Sequence, residues 1–466
     1  MGNSVRDKMF REMAQKDIFR EAASYAFEYA DGALERNVFP DGQAIRNLDL
    51  FDESLPSGVG NASEILRQLH TIGSPATVSQ IGGRYFGLVN GGVVPAALAA
   101  KWLNDFWDQN TPLYVTSPVT SKIESVVEEW LKELFDLPES AVAGFVSGSS
   151  MSIFCGLAAA RYRVLQNAGW DVNAKGLAGA PGVRLVTSRQ AHATVLKAIA
   201  LLGFGIDNIE WVEADEQGRI DVAQVPQLDD RTILVLQAGN VNSGAFDDCS
   251  HLVDQAREAG AWVHIDGAFG LWAASCASLR HLSAGMENAD SWSVDGHKTL
   301  NTPYDSGIVL CRERDALVHA LQASGSYIIY SNHRDGMHFT PEMSRRGRAI
   351  ELWATLKYLG RGGVDELVAG LHHRALQMRD ELVSAGFEIM NDVVFNQVLV
   401  GCENDDVTAR AIEYIQQSGE CWVGGASWRG HAVIRISICS WATTAADITR
   451  AVNVFIAARG QARKIY

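Results

Sequence analysis

Four groups of residues in this chain have the types and spacing to do chemistry. Gly148-Ser149-Ser150 follows an apolar run and opens a helical pattern. Small residues let backbone N–H groups approach an anion, and a helix start favours negative charge. This is either a phosphate cradle or a serine-rich helix cap. Trp262-Val-His-Ile-Asp266-Gly-Ala268 puts a carboxylate at the tip of an apolar strand. There it must meet a cation or hydrogen-bond donor, or else cap a helix. Ser291-Trp-Ser-Val-Asp295-Gly-His297-Lys298 ends on the only one of the ten lysines between residues 198 and 356. A lone amine among strand tips suits a desolvated nucleophile that forms a Schiff base, and the alternative is a surface lysine. His192 follows another strand pattern. Its imidazole can stack on a flat ring or move a proton, or it is a structural residue.

Together the four say more than each alone. Anion cradle, stacking histidine, strand-end carboxylate and lysine occur in chain order, each at the end of a different element. Pyridoxal phosphate asks for these four: a helix start for its phosphate, a flat face for its ring, a lysine for its aldehyde, and a carboxylate for its pyridine nitrogen. Other signatures are missing. There is no G-x-G-x-x-G, P-loop, H-E-x-x-H or G-x-S-x-G, which argues against nicotinamide, nucleotide-hydrolysing, zinc-protease and α/β-hydrolase chemistry. No histidine pair has metal-ligand spacing, so no metal is expected.

The chain that must position these groups has 466 residues, 40 basic and 55 acidic, for a net charge of −15. Excess acid argues against a nucleic-acid or anionic-membrane binder, since both need lysine and arginine in excess. Seven scattered cysteines without a C-x-x-C read as reduced thiols of a cytoplasmic protein. The charged N-terminus has no apolar core of a secretory signal, and no apolar run reaches the ~18 residues of a membrane span.

The first ~35 residues read as a helix with Phe19, Ala22, Ala23, Ala26, Phe27 and Ala30 on one side. Ser117-Pro118 announces another helix. From about residue 140, short apolar runs at 183–187, 209–212, 232–236, 262–265, 291–294 and 307–310 alternate with helical patterns near 151–166, 192–202, 248–259 and 314–323. That alternation predicts an α/β fold with a mostly parallel sheet, covered on both faces, that binds ligands beyond the strands' carboxyl ends. After about residue 340, helices near 343–359 and 364–385, strands near 387–390, 395–401 and 432–438, and a helix over 445–459 predict a smaller α+β domain. The expected division is 1–75 as an N-terminal helical segment, 76–335 as the large domain and 336–466 as the small one.

These motifs resemble those of the group II pyridoxal-phosphate-dependent amino-acid decarboxylases. Gln190-Ala-His192, His264-Ile-Asp266-Gly-Ala268 and Asp295-Gly-His297-Lys298 are the most specific matches. Ser147-Gly-Ser-Ser, Gly239-Asn-Val-Asn-Ser-Gly244 and Ser344-Arg-Arg-Gly-Arg348 support them. The resemblance runs from Arg84-Tyr-Phe-Gly-Leu-Val-Asn90 to Ser437-Ile-Cys-Ser-Trp-Ala-Thr443. It implies a fold-type-I enzyme with a seven-stranded sheet and a small C-terminal domain, and Lys298 as the Schiff-base lysine. It implies Asp266 as the partner of the pyridine nitrogen, Ala268 against the ring and His192 stacked on its other face. Gly148, Ser149, Ser150 and His297 would meet the phosphate, and Asn240 or Asn242 would border the cofactor.

On the substrate side the resemblance points to Asn90, to Tyr327 in a segment that also holds Tyr330 and His333, and to Arg346. Trp102, Phe106, Trp107 and Tyr114 would form either an aromatic wall of the pocket or ordinary helix packing. The expected reaction is decarboxylation of an L-amino acid to an amine and carbon dioxide. Carbon–carbon lysis, transamination, oxidative aldehyde formation and a scaffold without turnover are the alternatives. A homodimer with shared active sites is expected. The stretch after the cradle, Ser149-Ser150-Met151-Ser152-Ile153, departs from the family pattern and keeps only its small hydroxylated residues.

Overall fold

The structure, a computed structural model, describes residues 4–322 and 332–465. Tyr327 and Tyr330 lie outside the described residues.

Seven strands make the central sheet: β1 (Val142–Val146), β2 (Arg184–Ser188), β3 (Ile209–Val212), β4 (Thr232–Gln237), β5 (Trp262–Asp266), β6 (Ser291–Asp295) and β7 (Gly307–Cys311). Their order is β1-β7-β6-β5-β4-β2-β3. The five strands from β3 to β6 run parallel. β7 is antiparallel to both β6 and β1. Every residue of β1, β4, β5, β6 and β7 is buried, which is why β1, β4 and β7 read as near-continuous apolar runs, while the buried His264 of β5 and Ser291 of β6 satisfy each other at 2.8 Å. β1 reads in the sequence only as the apolar run before Gly148, because its sole partner, β7, lies far along the chain.

Helices cover both faces. On one, Ile153, Leu157 and Val164 of helix Ser149–Asn167 pack with Ile233, Val235 and Val309. On the other, Leu131 and Phe135 of helix Pro118–Phe135 join Trp272, Leu352 and Leu356 over Leu234, Leu236 and Val263. The parallel strands point their carboxyl ends the same way. Asp266 ends β5, Asp295 ends β6, and His192 follows β2.

The C-terminal sheet is antiparallel throughout: β8 (Glu388–Ile389), β9 (Gln397–Gly401), β10 (Gly424–Trp428) and β11 (His431–Ser437), in the order β10-β11-β9-β8. Helices Asp405–Ser418 and Ala445–Ala462 back it. β10 had no strand signal, since Gly424-Gly425-Ala426-Ser427 lacks β-branched residues. Pairing along β11, with Gly424 opposite Arg435, makes it a strand.

Other differences are local. The expected N-terminal helix is two, Val5–Gln15 and Asp17–Gly32, broken where Lys16 turns left-handed at φ 62°. The helix expected from 343 starts at Ala349, because residues 344–348 run alongside Asn110 and Thr111. There Thr111 N donates to Arg345 O at 3.0 Å and Arg345 N to Asn110 Oδ1 at 3.1 Å. Helix Ala349–Ser384 is broken at Gly360 (φ 60°, ψ −179°), which gives the two helices read from the sequence. No helix among the described residues is long and apolar enough to cross a membrane.

Candidate active site

A cavity of about 220 Å³ opens beyond the carboxyl ends of β4, β5 and β6. Of the residues singled out from sequence, Ser149, His192, Asp266, Ala268 and Lys298 line it. Each arrives by a different route.

Lys298 sits on a turn leaving β6. Gly296 N and His297 N donate to Ser306 O at 2.9 and 3.3 Å, and Ser306 N donates to His297 Nδ1 at 3.1 Å. The turn is thereby pinned to the start of β7. Lys298 Nζ is 3.2 Å from Oδ2 of Asp295, whose side chain is 1% exposed. His297 Nε2 is 3.5 Å from the same oxygen, and its ring stacks on Tyr304 at 4.5 Å between centroids.

Asp266 accepts from Ala268 N at 3.2 Å and from Ser293 Oγ at 3.4 Å. Burial pushes its pKa up, opposed by the neighbouring His192 ring and Lys298 amine. His192 caps helix Ala193–Leu201 and is fixed in rotation, with Nδ1 2.7 Å from Thr194 Oγ1. Burial lowers its pKa, aided by the Lys298 and Arg435 charges against that of Asp266. At neutral pH it is therefore an uncharged flat ring.

The remaining residues expected from sequence stand around or away from this wall. Gly148 precedes helix Ser149–Asn167, and Ser150 is exposed on its first turn. Asn242 N donates to Asn240 Oδ1 at 2.9 Å, and Val241 rather than Asn242 lines the cavity. Asn90 follows Leu88 and Val89, which do line it. Arg346 is not brought to the cavity. Its guanidinium is engaged by Asp305 at 2.9 Å and Glu351 at 2.7 Å. His333 stacks on Tyr114 at 3.9 Å, apart from the lining. Phe106 and Trp102 face the N-terminal helix, with Phe19–Phe106 at 4.9 Å and Phe27–Trp102 at 5.9 Å. They form no wall of this cavity. Among the described residues no group of three or more His, Cys, Asp or Glu is arranged to hold a metal.

Gln237, Thr194 and Arg435 complete the polar lining. Gln237 had the signal that marked Asp266, a polar residue ending an apolar strand. Arg435 alternates with Ile434 and Ile436, which fill the C-terminal core, so its own side chain turns the other way, to the cavity.

The lining fits pyridoxal phosphate. Helix Ser149–Asn167 starts without a side-chain cap, leaving an N-terminus that favours an anion. The Gln237 Nε2 atom is buried and has no partner in the protein. A buried carboxylate, a neutral imidazole and a single amine meet in one space.

Comparison with known proteins agrees. Residues 46–400 match the pyridoxal-dependent decarboxylase conserved domain. The chain is 29% identical over 343 residues to an aromatic-L-amino-acid decarboxylase of Bacillus atrophaeus, covering 69% of this chain and 67% of that one. It is 28% identical over 330 residues to an acidic amino acid decarboxylase of Mus musculus, covering 68% and 59%. In fold it is similar to Oryza sativa TDC solved with PLP and tryptamine, with a TM-score of 0.88 at 20% identity over 99% of both chains. The chain thus belongs to the pyridoxal-dependent decarboxylase family and is, by that membership, a pyridoxal-phosphate-dependent amino-acid decarboxylase.

Proposed function

We propose that this chain removes the α-carboxylate of an L-amino acid at the cavity around Lys298, with Lys298, Asp266 and His192 as its catalytic residues. The observation that carries this reading is the convergence of those three side chains with the uncapped start at Ser149. Lys298 would supply the amine that holds the cofactor's aldehyde. Ser149, Gly148, Ser150 and His297 hold the phosphate end, and Asn242's segment borders the ring. When bound, the cofactor supplies an electron sink for the pair left as the carboxylate departs. Asp266 keeps the proton at the pyridine nitrogen that makes this sink effective. His192, neutral and locked by Thr194, offers a flat face against the ring, and Ala268 closes the other side without bulk. Val89, which is buried, shields part of the lining from water and so strengthens these electrostatic contacts.

The same reading includes a homodimer. Phe10, Phe27, Leu55 and Phe106 are 63%, 58%, 95% and 61% exposed, and helix Asp17–Gly32 buries none of its residues. So much exposed apolar surface calls for a partner surface, and a second copy with two-fold symmetry is the commonest. Seven unpaired thiols support a reducing, cytoplasmic setting.

The test is a product assay on the purified enzyme with aromatic, acidic and diamino L-amino acids. Carbon dioxide and the matching amine in equal amounts support the proposal. An aldehyde or keto acid in place of the amine refutes it.

A further inference from the structure

Asn301, three residues after Lys298, is fully buried with a left-handed backbone at φ 60°. Its side-chain amide is shared among three separate stretches of chain. Oδ1 accepts from Gly92 N at 2.7 Å and from Trp441 N at 3.0 Å. Nδ2 donates to Thr299 O at 2.8 Å and to Cys439 O at 2.9 Å, with Lys298 O at 3.3 Å. Its backbone is engaged as well. Asn301 N donates to Lys298 O at 3.1 Å, and Asn301 O accepts from Val94 N at 2.9 Å. An asparagine side chain has two donors and two acceptor lone pairs, and all of them are used.

The stretches it joins are the lysine's own turn, the strap at 91–94 and the C-terminal segment 439–441. The strap lies directly on the lysine's backbone. A Cβ on Gly91 would stand 2.1 Å from Lys298 O, and one on Gly92 3.0 Å from Asn301 Oδ1. Gly91 N also donates to His297 O at 3.3 Å, and Trp441 Nε1 to Val93 O at 2.9 Å. Few residues suit this place. Asn tolerates the left-handed region, whereas Gly would keep the backbone and lose the joint.

We propose that Asn301 is a positioning residue for Lys298. Its amide locks the lysine's turn to the strap and to the C-terminal segment, so that the amine is aimed into the cavity only when all three are in register. The proposal rests on Lys298 being the cofactor lysine, and the experiment separates the two ideas. In the parent holoenzyme, borohydride reduction and peptide mapping locate the adduct. An adduct on another lysine overturns the assignment of Lys298, and with it this inference, before any variant is made.

Given an adduct at Lys298, the variant is Asn301→Gly. The measurements are melting temperature, the rate at which the trappable linkage forms after cofactor is added, and kcat and KM. The expected result is linkage formation and kcat both slower by about ten- to a hundred-fold, with KM within about three-fold of the parent. Gly92→Ala, which crowds Oδ1 from the strap side, should give the same pattern with smaller amplitude. A merely structural role predicts a lower melting temperature with both rates, per folded and cofactor-saturated subunit, within about two-fold of the parent, and that result overturns the proposal. Failure of both variants to give folded holoenzyme overturns it too, since Asn301 would then be a folding element.

Discussion

Lys298 Nζ lies 3.2 Å from Asp295 Oδ2, within one turn of chain that starts as β6 ends. The carboxylate is buried and neither of its oxygens accepts a hydrogen bond. Its nearest polar neighbours are Lys298 Nζ and, at 3.5 Å, Nε2 of His297, whose pKa burial lowers. The amine must leave this contact before it can attack an aldehyde. Asp295→Asn weakens that contact and should speed cofactor uptake by the apoenzyme, by up to about ten-fold, or about 1.4 kcal/mol in the barrier. Stopped-flow absorbance on adding cofactor measures this, and a slower uptake would assign Asp295 to phosphate-end packing instead.

Asp266→Asn preserves shape and removes the charge that the proposed arrangement sets against the cofactor's pyridine nitrogen. Turnover should fall by two or more powers of ten, about 3 kcal/mol in the barrier. Cofactor affinity should fall with it. Steady-state kinetics at saturating cofactor check this, and near-normal turnover would reduce Asp266 to a cap for Ala268.

His264 sits in the middle of β5, completely buried, with Nδ1 2.8 Å from Ser291 Oγ. Burial lowers its pKa to about 3. The unfolded chain takes up this proton near the ordinary value of ~6.5 and the folded chain does not. The stability it contributes is whole above ~6.5 and is lost as pH falls toward 3, at up to about 1.4 kcal/mol per pH unit. Asp247 and Asp290, raised to about 6 by burial, have the opposite sign. Their contribution is present below ~4 and is lost as pH rises through 6. Urea unfolding of the parent and of His264→Asn between pH 4 and 6.5 should diverge by that one-proton slope. Parallel curves would show that His264 is protonated in the fold.

Glu124 accepts from Arg334 Nε at 3.1 Å and from Arg345 Nη2 at 2.7 Å, with all three side chains buried. This ties helix Pro118–Phe135 to the chain around 334–345. Glu124→Gln leaves buried Arg345 short of its countercharge and Arg334 with Glu128 alone, at 2.7 Å, and should cost about 3–5 kcal/mol of stability. Arg345→Met added to it should recover part of that loss. Denaturant unfolding of the single and double variants measures both effects.

Removing the first 35 residues should give a monomer or insoluble protein with poor cofactor retention. The truncation strips Phe19 from Phe106 and Phe27 from Trp102 and so bares the apolar face between them. Light scattering reads the result. A full-length chain that is an active monomer would remove the shared-site reading.

The sequence by itself determined the strands that carry the site and the residues that end them. Asp266 and Lys298 were legible because burial on both faces forces an apolar run, so a charged residue at its tip stands out. Ser149 was legible as a helix start after an apolar run, as cradle or cap alike, and the uncapped start in the structure supports the cradle. What only the tertiary structure decided depends on contacts between distant segments. β10 exists because β11 pairs with it, against its own composition. Gln237 and Arg435 join the cavity because neighbouring strands bring them there, and Arg346 leaves it because Asp305 and Glu351 lie nearer. Asn301 reads as an ordinary loop asparagine until the strap and the C-terminal segment close around it. Local periodicity records which way a side chain points along its own element. It does not record which other element will be waiting there.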